Sequence, residues 1–175
     1  MTDLRFPIGP FTFTGDMLTG EERQLFLEQI AETPARLREA VRGLTEEQLD
    51  TPYRPGGWTV RQVIHHVPDS HLNSYIRCKF ALTEDVPTIK PYDEARWAEL
   101  PDSQATPVAV SLALLDSLHQ RWTALLRSLA PADFARQFNH PERGVVTLDN
   151  TLALYAWHGR HHVAHVTSLR ERMGW

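Results

Sequence analysis

Four of the nine histidines of this 175-residue chain lie in one eight-residue segment, His158 to His165, whose surroundings have helical periodicity. Residues four positions apart lie on the same face of an α-helix, so the segment offers two pairs, His158 with His162 and His161 with His165. Two imidazoles at this spacing form half of a transition-metal site. A third ligand must come from elsewhere in the chain, so the fold has to bring a second segment against this helix.

The composition is that of an ordinary folded domain, which we expect to span 1–175 as a single unit. Hydrophobic residues make up 42% of the chain and charged residues 23%. The net charge is −4 and there is no basic run, so neither a nucleic acid nor an anionic membrane is an expected partner. The only cysteine, Cys78, excludes a disulfide framework and a cysteine-rich zinc site. Without a signal-peptide pattern or a membrane-spanning apolar run, a cytoplasmic location is expected.

Periodic apolar residues predict four long helices, at about 21–42, 60–82, 107–129 and 148–172. Capping-box spacings indicate a short helical turn after Thr45 and the start of the second long helix after Thr59. Thr106 is expected to cap the third helix, with Pro107 in its first position. These segments predict an all-α protein, a four-helix bundle with long inter-helix connections.

The connecting segments are long, and we expect them to contain short elements. The arm 1–18 is expected to be irregular, with an extended piece at 11–13. The connection 84–105 is expected to hold a helical turn at about 93–98, and the connection 131–147 a short hairpin. A connection as long as 84–105 crosses the molecule or covers a site.

Apolar stripes predict which helix faces pack in the core. They comprise Leu25, Phe26, Ile30, Leu37 and Val41 in the first helix, Val60, Val63, Ile64, Val67, His71, Ser74 and Cys78 in the second, Val110, Leu114, Leu118, Trp122 and Leu125 in the third, and Leu148, Leu152, Tyr155, His158, His162, Val166, Leu169 and Met173 in the fourth. Pro34 is expected to kink or interrupt the first helix. Pro68 leaves the carbonyl of Ile64 without its usual donor, so we expect a bend beside the histidines.

The pair His158 and His162 is the better candidate for metal binding because it continues the apolar stripe, whereas His161 and His165 lie on a more mixed face. In the second helix, His66 lies nearer the apolar stripe than its neighbour and is the best third ligand. Three histidines and a water form the open arrangement of a catalytic zinc site. A pair of hydrogen-bonded core histidines is the competing interpretation of His158 and His162.

Other polar side chains near these ligands are candidates for positioning them or for moving protons. They are Asp69, His71, Asn73, His161 and His165. There is no HExxH motif, because Gly159 follows His158, so the glutamate base of that class of metalloprotease is missing. A metal bound by the three histidines would lower the pKa of a water towards about 7 or ionise a substrate thiol.

Two long motifs resemble the YfiT branch of the DinB superfamily. The first runs from Thr51 to His71 and the second from Trp157 to His165. Shorter matches are found at Phe6–Gly9, Thr83–Asp85, Lys90–Tyr92 and Arg172–Trp175. One departure is Pro68, because relatives typically carry alanine at this position.

The resemblance implies a four-helix bundle, a homodimer and one divalent metal per chain, zinc before nickel, held by His66, His158 and His162. It implies a metal-dependent hydrolase that acts on a small-molecule substrate, with the metal activating a water. An alternative is a bacillithiol-type thiol S-transferase, in which the metal activates the thiolate of a low-molecular-weight thiol. A second alternative is a non-catalytic, metal-stabilised stress-response module. The fold by itself is compatible with all three functions.

Overall fold

The computed structural model describes residues 3–15 and 17–175 and contains four long helices joined by segments with short elements. In chain order the elements are α1 (Gly20–Val41), α2 (Glu46–Leu49), α3 (Val60–Thr83), α4 (Glu94–Ala98), α5 (Pro101–Ala105), α6 (Val108–Arg127), a 3₁₀ turn (Pro131–Ala135), β1 (Gln137–His140), β2 (Gly144–Thr147) and α7 (Leu148–Met173). The two strands form an antiparallel hairpin in which Phe138 pairs with Val146. The all-α bundle with long connections is confirmed, as are the hairpin and the short helix near 93–98.

Helix ends follow the capping signals of the sequence. The side chains of Thr45 and Thr59 accept hydrogen bonds from the backbone N–H groups of residues three positions on, as capping boxes do. The expected cap of α6 is wrong: Thr106 ends α5, and Pro107 takes the N-cap position without a side-chain hydrogen bond. Helix α5 was not predicted from the sequence, and Thr106 is its C-cap residue. Neither Pro34 nor Pro68 ends its helix.

The order of the long helices around the bundle differs from their order in the chain. Helix α1 packs against α7 and α6, while α3 packs against α6 and α7, so the successive helices α1 and α3 lie across the bundle from each other. The Arg23 side chain pairs with Asp149 near the starts of α1 and α7, and the Arg170 side chain donates to the carbonyl of Ala40 near their ends. Helices α1 and α7 are therefore parallel neighbours.

Helices α3 and α6 are also parallel neighbours, as two buried contacts show. His65 Nδ1 lies 2.7 Å from Ser111 Oγ, and His71 Nδ1 lies 2.8 Å from His119 Nε2, so positions advance together along both helices. A chain that leaves the end of one helix and enters the start of its parallel neighbour must travel back along the bundle. This geometry explains why the connection 84–105 is long.

The core has two apolar clusters with histidines between them. One cluster is built around Ile30, Trp122 and Leu152, and the other around Leu37, Ile64 and Val166. The region between them contains buried imidazoles from three helices: His66 and His71 from α3, His119 from α6, and His162 from α7. None of the described helices has the length and hydropathy needed to span a lipid bilayer.

Four residues expected in the core are exposed: Leu25, Val110, Leu114 and Met173. Leu25 lies roughly 140° around α1 from Ile30 at 3.6 residues per turn, so both cannot face the same neighbour. The buried face of α6 is centred on Leu115 and Trp122, because this helix packs against both α1 and α3. Met173 is the last residue of α7, beyond the core. The extended piece expected at 11–13 forms no strand.

Candidate metal centre

The structure brings His66, His158 and His162 together between α3 and α7. His158 Nε2 lies 3.4 Å from His66 Nε2 and 3.2 Å from His162 Nε2. One nitrogen from each ring lies within 4.8 Å of the other two. His66 and His162 are buried, and His158 is partly exposed to an adjoining cavity.

The spacing of these nitrogens fits a tetrahedral zinc-like ion. Zinc–nitrogen bonds of about 2.0–2.1 Å place tetrahedral ligands roughly 3.3–3.4 Å apart. Two of the three nitrogen–nitrogen distances, 3.4 and 3.2 Å, agree with that spacing, and the ligand nitrogens of His66 and His162 lie within 4.8 Å of each other. The three side chains therefore fit a divalent cation.

Burial keeps the three candidate ligands in the neutral form that binds metals. Burial, together with the nearby His165 ring, lowers the pKa of His66 to about 4. Burial and neighbouring imidazoles hold the pKa of His158 and the pKa of His162 well below the usual value of histidine. Because metal ligands must be unprotonated, these rings are ready to bind a cation near neutral pH.

A cavity of about 470 Å³ opens onto the three histidines. Its walls are largely aromatic, and its charged residues come from α3, α4 and the hairpin turn. The aromatic residues are Phe6, Trp58, Tyr92, Phe138, Tyr155 and Trp157, and the charged ones are Arg77, Glu94, Glu142 and Arg143. The size and the mixed lining suit a small organic molecule with both apolar and charged parts.

Three of the histidines proposed as positioning residues lie close to the ligands. His71 Nε2 is 3.1 Å from His158 Nδ1. The ring of His161 stacks on Trp157 at 4.2 Å and lines the cavity. His165 Nε2 donates to the carbonyl of Arg5 at 3.1 Å, so this ring anchors the N-terminal arm.

Asp69 and Asn73 lie away from the centre. Neither is among the described residues that line the cavity. Burial, with a contribution from the carboxylate of Asp102, raises the pKa of Asp69 to about 6. The Asn73 side chain donates to the carbonyl of Asp69 at 2.9 Å, within its own helix.

The second histidine pair belongs to another possible ligand set, His161, His162 and His165. One nitrogen of His165 is already engaged with the arm, and His165 does not line the cavity in the described part of the chain. This set shares His162 with the first. The cavity and the cross-helix contact of His66 favour the first set.

Sequence reasoning missed His119, whose Nε2 lies 2.8 Å from His71 Nδ1. The available signal was its spacing of three from Trp122, which places both on one face of α6. It also missed Tyr155 as a cavity residue; its hydroxyl donates to the carbonyl of Ser70 at 3.2 Å. His140 reaches the cavity from β1, in a connection that carried no functional pattern.

Comparisons with known proteins agree with this architecture. The family profile of the DinB superfamily matches residues 29–166. A Bacillus mycoides (strain KBAB4) protein that carries the provisional name metal-dependent hydrolase is 60% identical over 175 residues, which is 100% of both chains. A Bacillus cereus (strain B4264) protein with the same provisional name is 58% identical over the same full length.

A solved structure is similar over almost the whole chain. YfiT from Bacillus subtilis, described as a probable metal-dependent hydrolase with an unusual four-helix bundle topology, is 52% identical, covers 98% of both chains and superposes with a TM-score of 0.95. On the family match, the full-length identities and the shared fold, the chain belongs to the DinB superfamily as a YfiT-type member.

Proposed function

We propose that the protein is a metal-dependent hydrolase in which His66, His158 and His162 hold one divalent cation, zinc or nickel. The observation that carries the proposal is the convergence of three imidazole nitrogens from two helices, at 3.2 and 3.4 Å, beside a cavity. The provisional names of the relatives point in the same direction.

The three histidines offer unprotonated nitrogens because burial lowers their pKa values. A divalent cation bound by them supplies Lewis-acid chemistry, lowering the pKa of a water towards about 7. The ring of Trp58 packs 4.7 Å from that of His66 and forms part of the cavity wall beside the ligands. The aromatic walls of the cavity bind the apolar part of a small-molecule substrate and orient it towards the ligands.

A thiol S-transferase of the bacillithiol type is the second candidate, and two cavity residues favour it. Arg77 and Arg143 bring guanidinium groups, which bind carboxylates well, to a cavity whose two carboxylates, Glu94 and Glu142, balance their charge. A low-molecular-weight thiol that carries carboxylates would have these two guanidinium groups as partners there. The same three ligands would serve this reaction, with the thiolate in place of the water.

Metal content tests the ligand set, because two histidines separate it from the alternative set. His66 belongs only to the first set, and His165 only to the second. We expect about one zinc or nickel per chain by mass spectrometry in the wild-type protein and in His165→Ala, and a metal-free His66→Ala. Loss of metal in His165→Ala with retention in His66→Ala would assign the cation to the other set. A metal-free wild-type protein after loading would refute both.

Activity assays separate the two reactions. The zinc-loaded protein is assayed with chromogenic aryl esters and amides, and separately with the electrophile chlorodinitrobenzene with and without cysteine or glutathione. A hydrolase turns over esters or amides without thiol, and His66→Ala abolishes that turnover. Turnover that requires the thiol would support the transferase. Full metal occupancy with no turnover, together with a large thermal destabilisation on chelation, would support the non-catalytic metal-stabilised module.

The homodimer implied by the family resemblance remains a proposal. Light scattering coupled to gel filtration tests it directly. A mass of about 40 kDa, twice the 20.0 kDa of one chain, is expected for the dimer.

A further inference from the structure

Two buried imidazoles, those of His119 and His71, form a continuous hydrogen-bonded chain with the partly exposed ring of His158, a candidate metal ligand. His119 Nδ1 lies 2.7 Å from the carbonyl oxygen of Ile30, and His119 Nε2 lies 2.8 Å from His71 Nδ1. His71 Nε2 lies 3.1 Å from His158 Nδ1. The chain takes one group from each of the four long helices: α1, α6, α3 and α7.

The direction of every hydrogen bond follows from the carbonyl end. A carbonyl oxygen only accepts, so His119 Nδ1 donates to Ile30. A neutral imidazole carries one N–H, so His119 Nε2 accepts from His71 Nδ1, and His71 Nε2 accepts from His158 Nδ1. The one remaining nitrogen of His158, Nε2, is then left with its lone pair. This is the atom that lies 3.2–3.4 Å from the other two candidate ligands.

The surroundings of the chain keep its members neutral. The His71 ring is 0% exposed, and its described ring contacts are His119, Trp122, Tyr155 and His158, none of which carries a negative charge. A charged imidazolium there would lack a counter-ion, and an isolated buried charge is costly. The carboxylate of Asp116 acts on His119, but burial still lowers the pKa of that ring to about 4, so it too is neutral and carries one proton.

The carbonyl of Ile30 is available because of a proline. In an α-helix this oxygen would accept from the N–H of residue 34, but Pro34 has no N–H. Ile30 is 0% exposed, so bulk water does not satisfy the oxygen. His119 supplies the missing donor from α6. The carbonyl left without a donor by Pro34 of α1 is thus satisfied in the core by His119 of α6.

We propose that His119 and His71 are positioning residues that hold His158 in the tautomer whose Nε2 lone pair faces the metal site, with the Ile30 carbonyl as the fixed end of the chain. The expected effect on metal affinity rests on the proposed metal site. The tautomers themselves are a property of the metal-free protein. Groups that orient a metal-bound histidine through its other nitrogen typically change metal affinity 10- to 100-fold when removed.

The first test needs no metal and no variant. Nitrogen-15 NMR of histidine-labelled, metal-free protein at pH 7.5 reports which ring nitrogen carries the proton. We expect Nδ1–H for His119, His71 and His158, and an unprotonated Nε2 on each. An Nε2–H tautomer of His158 would overturn the proposal, whether or not the protein binds metal. The expected tautomers in a protein that never binds zinc would leave the chain standing and refute only the proposed function.

The second test uses two variants of His119. In His119→Gln, the amide can donate to the Ile30 carbonyl and accept from His71, so the direction of the chain is kept. In His119→Leu, both partners are lost. By competition with a zinc chelator, we expect a 10- to 100-fold weaker zinc affinity for His119→Leu and a change below about threefold for His119→Gln.

The nitrogen-15 spectrum guards against a purely structural effect. In His119→Leu, the His158 signals should move towards a mixture of tautomers, which a general loss of stability would not produce in the folded state. A folded His119→Leu with wild-type affinity, or a folded His119→Gln as weak as His119→Leu, would overturn the proposal. If His119→Leu does not fold, the wild-type spectrum and His119→Gln still decide it.

Discussion

Gly159 of α7, next to the candidate ligand His158, lies against Thr33 of α1, and we expect Gly159→Ala to destabilise the protein. A Cβ added there would lie 2.8 Å from Thr33 Cγ2 and 3.2 Å from Thr33 Cβ, and would also contact Thr33 Oγ1. Carbon atoms pack best at about 3.5–4.0 Å, so the closest carbon pair is roughly 0.7 Å too short. Thr33 is 2% exposed, and its hydroxyl donates to the Gln29 carbonyl at 2.9 Å. It therefore cannot move aside cheaply.

The expected magnitude follows from two opposing terms. Overpacking a core costs about 1–3 kcal/mol, and replacing a helical glycine with alanine returns up to about 1 kcal/mol. The free energy of unfolding, measured by urea denaturation at fixed zinc concentration, should fall by about 1–2 kcal/mol. For a chain of this size the melting temperature should fall by roughly 3–6 °C.

Two further variants make this prediction specific. Gly20→Ala, at the first residue of α1, adds a Cβ with no heavy atom within 4 Å and should not destabilise the protein. Thr33→Ala combined with Gly159→Ala should recover at least about 0.5 kcal/mol relative to the sum of the single changes. A Gly159→Ala protein as stable as the wild type, or no coupling between the two positions, would refute the packing argument. A glutamate at position 159, as in an HExxH motif, would place its Cβ in the same contact with Thr33.

Three other predictions concern the metal, a buried ion pair and a buried carboxyl. Chelation at pH 7.5 should lower the melting temperature of the wild-type protein, measured by scanning fluorimetry, but not that of His66→Ala. A cation present at 100 times its Kd stabilises the folded state by about 2.7 kcal/mol. An equal shift of the melting temperature in both proteins would contradict the ligand assignment. Asp149→Asn should lower the free energy of unfolding, measured by urea denaturation, by about 3–5 kcal/mol. It removes the carboxylate whose two oxygens each lie 2.7 Å from the Arg23 guanidinium, which is then left without its partner in a buried site. A decrease below about 1 kcal/mol would contradict this reasoning. Asp69→Asn should stabilise the protein by about 1 kcal/mol at pH 8, after allowance for its partial exposure, and have no effect below pH 3.8. The sign follows because the folded-state pKa of Asp69, about 6, lies above the ordinary 3.8. The carboxyl therefore favours the folded state at low pH, and this contribution is lost as the pH rises through 6. A stabilisation by Asp69→Asn that does not depend on pH would show another cause.

Much of the helical framework was predictable from the sequence because its signals are local. The capping boxes at Thr45 and Thr59 involve residues only three positions apart, and the structure shows both. The i,i+4 spacing of His158 and His162 likewise depends on one helix alone. His66 was also expected near this pair, because it lies close to the apolar stripe of its own helix, as the pair does on the other helix. The structure brings the three rings together. Their role as metal ligands stays a prediction.

The exposed faces of α1 and α6 show where such local signals end. Leu25 and Leu114 are apolar and sit in helices, but their burial depends on which two neighbours each helix has. The sequence does not reveal that α1 packs against α6 and α7 while α3 lies across the bundle. For the same reason Asp69, close in sequence to the ligands, does not line their cavity, and its pKa is raised by burial and by the carboxylate of Asp102.

By itself, the sequence determined where the long helices run and which histidines share a helix face, because helix periodicity and capping depend on residues a few positions apart. Only the tertiary structure decided the order of the helices around the bundle, and with it the partners of the histidines. His119 meets His71, and the carbonyl freed by Pro34 meets His119, because four helices distant in sequence place these groups at one level of the core. Contacts of this kind depend on how whole helix faces pack, which no short stretch of sequence encodes.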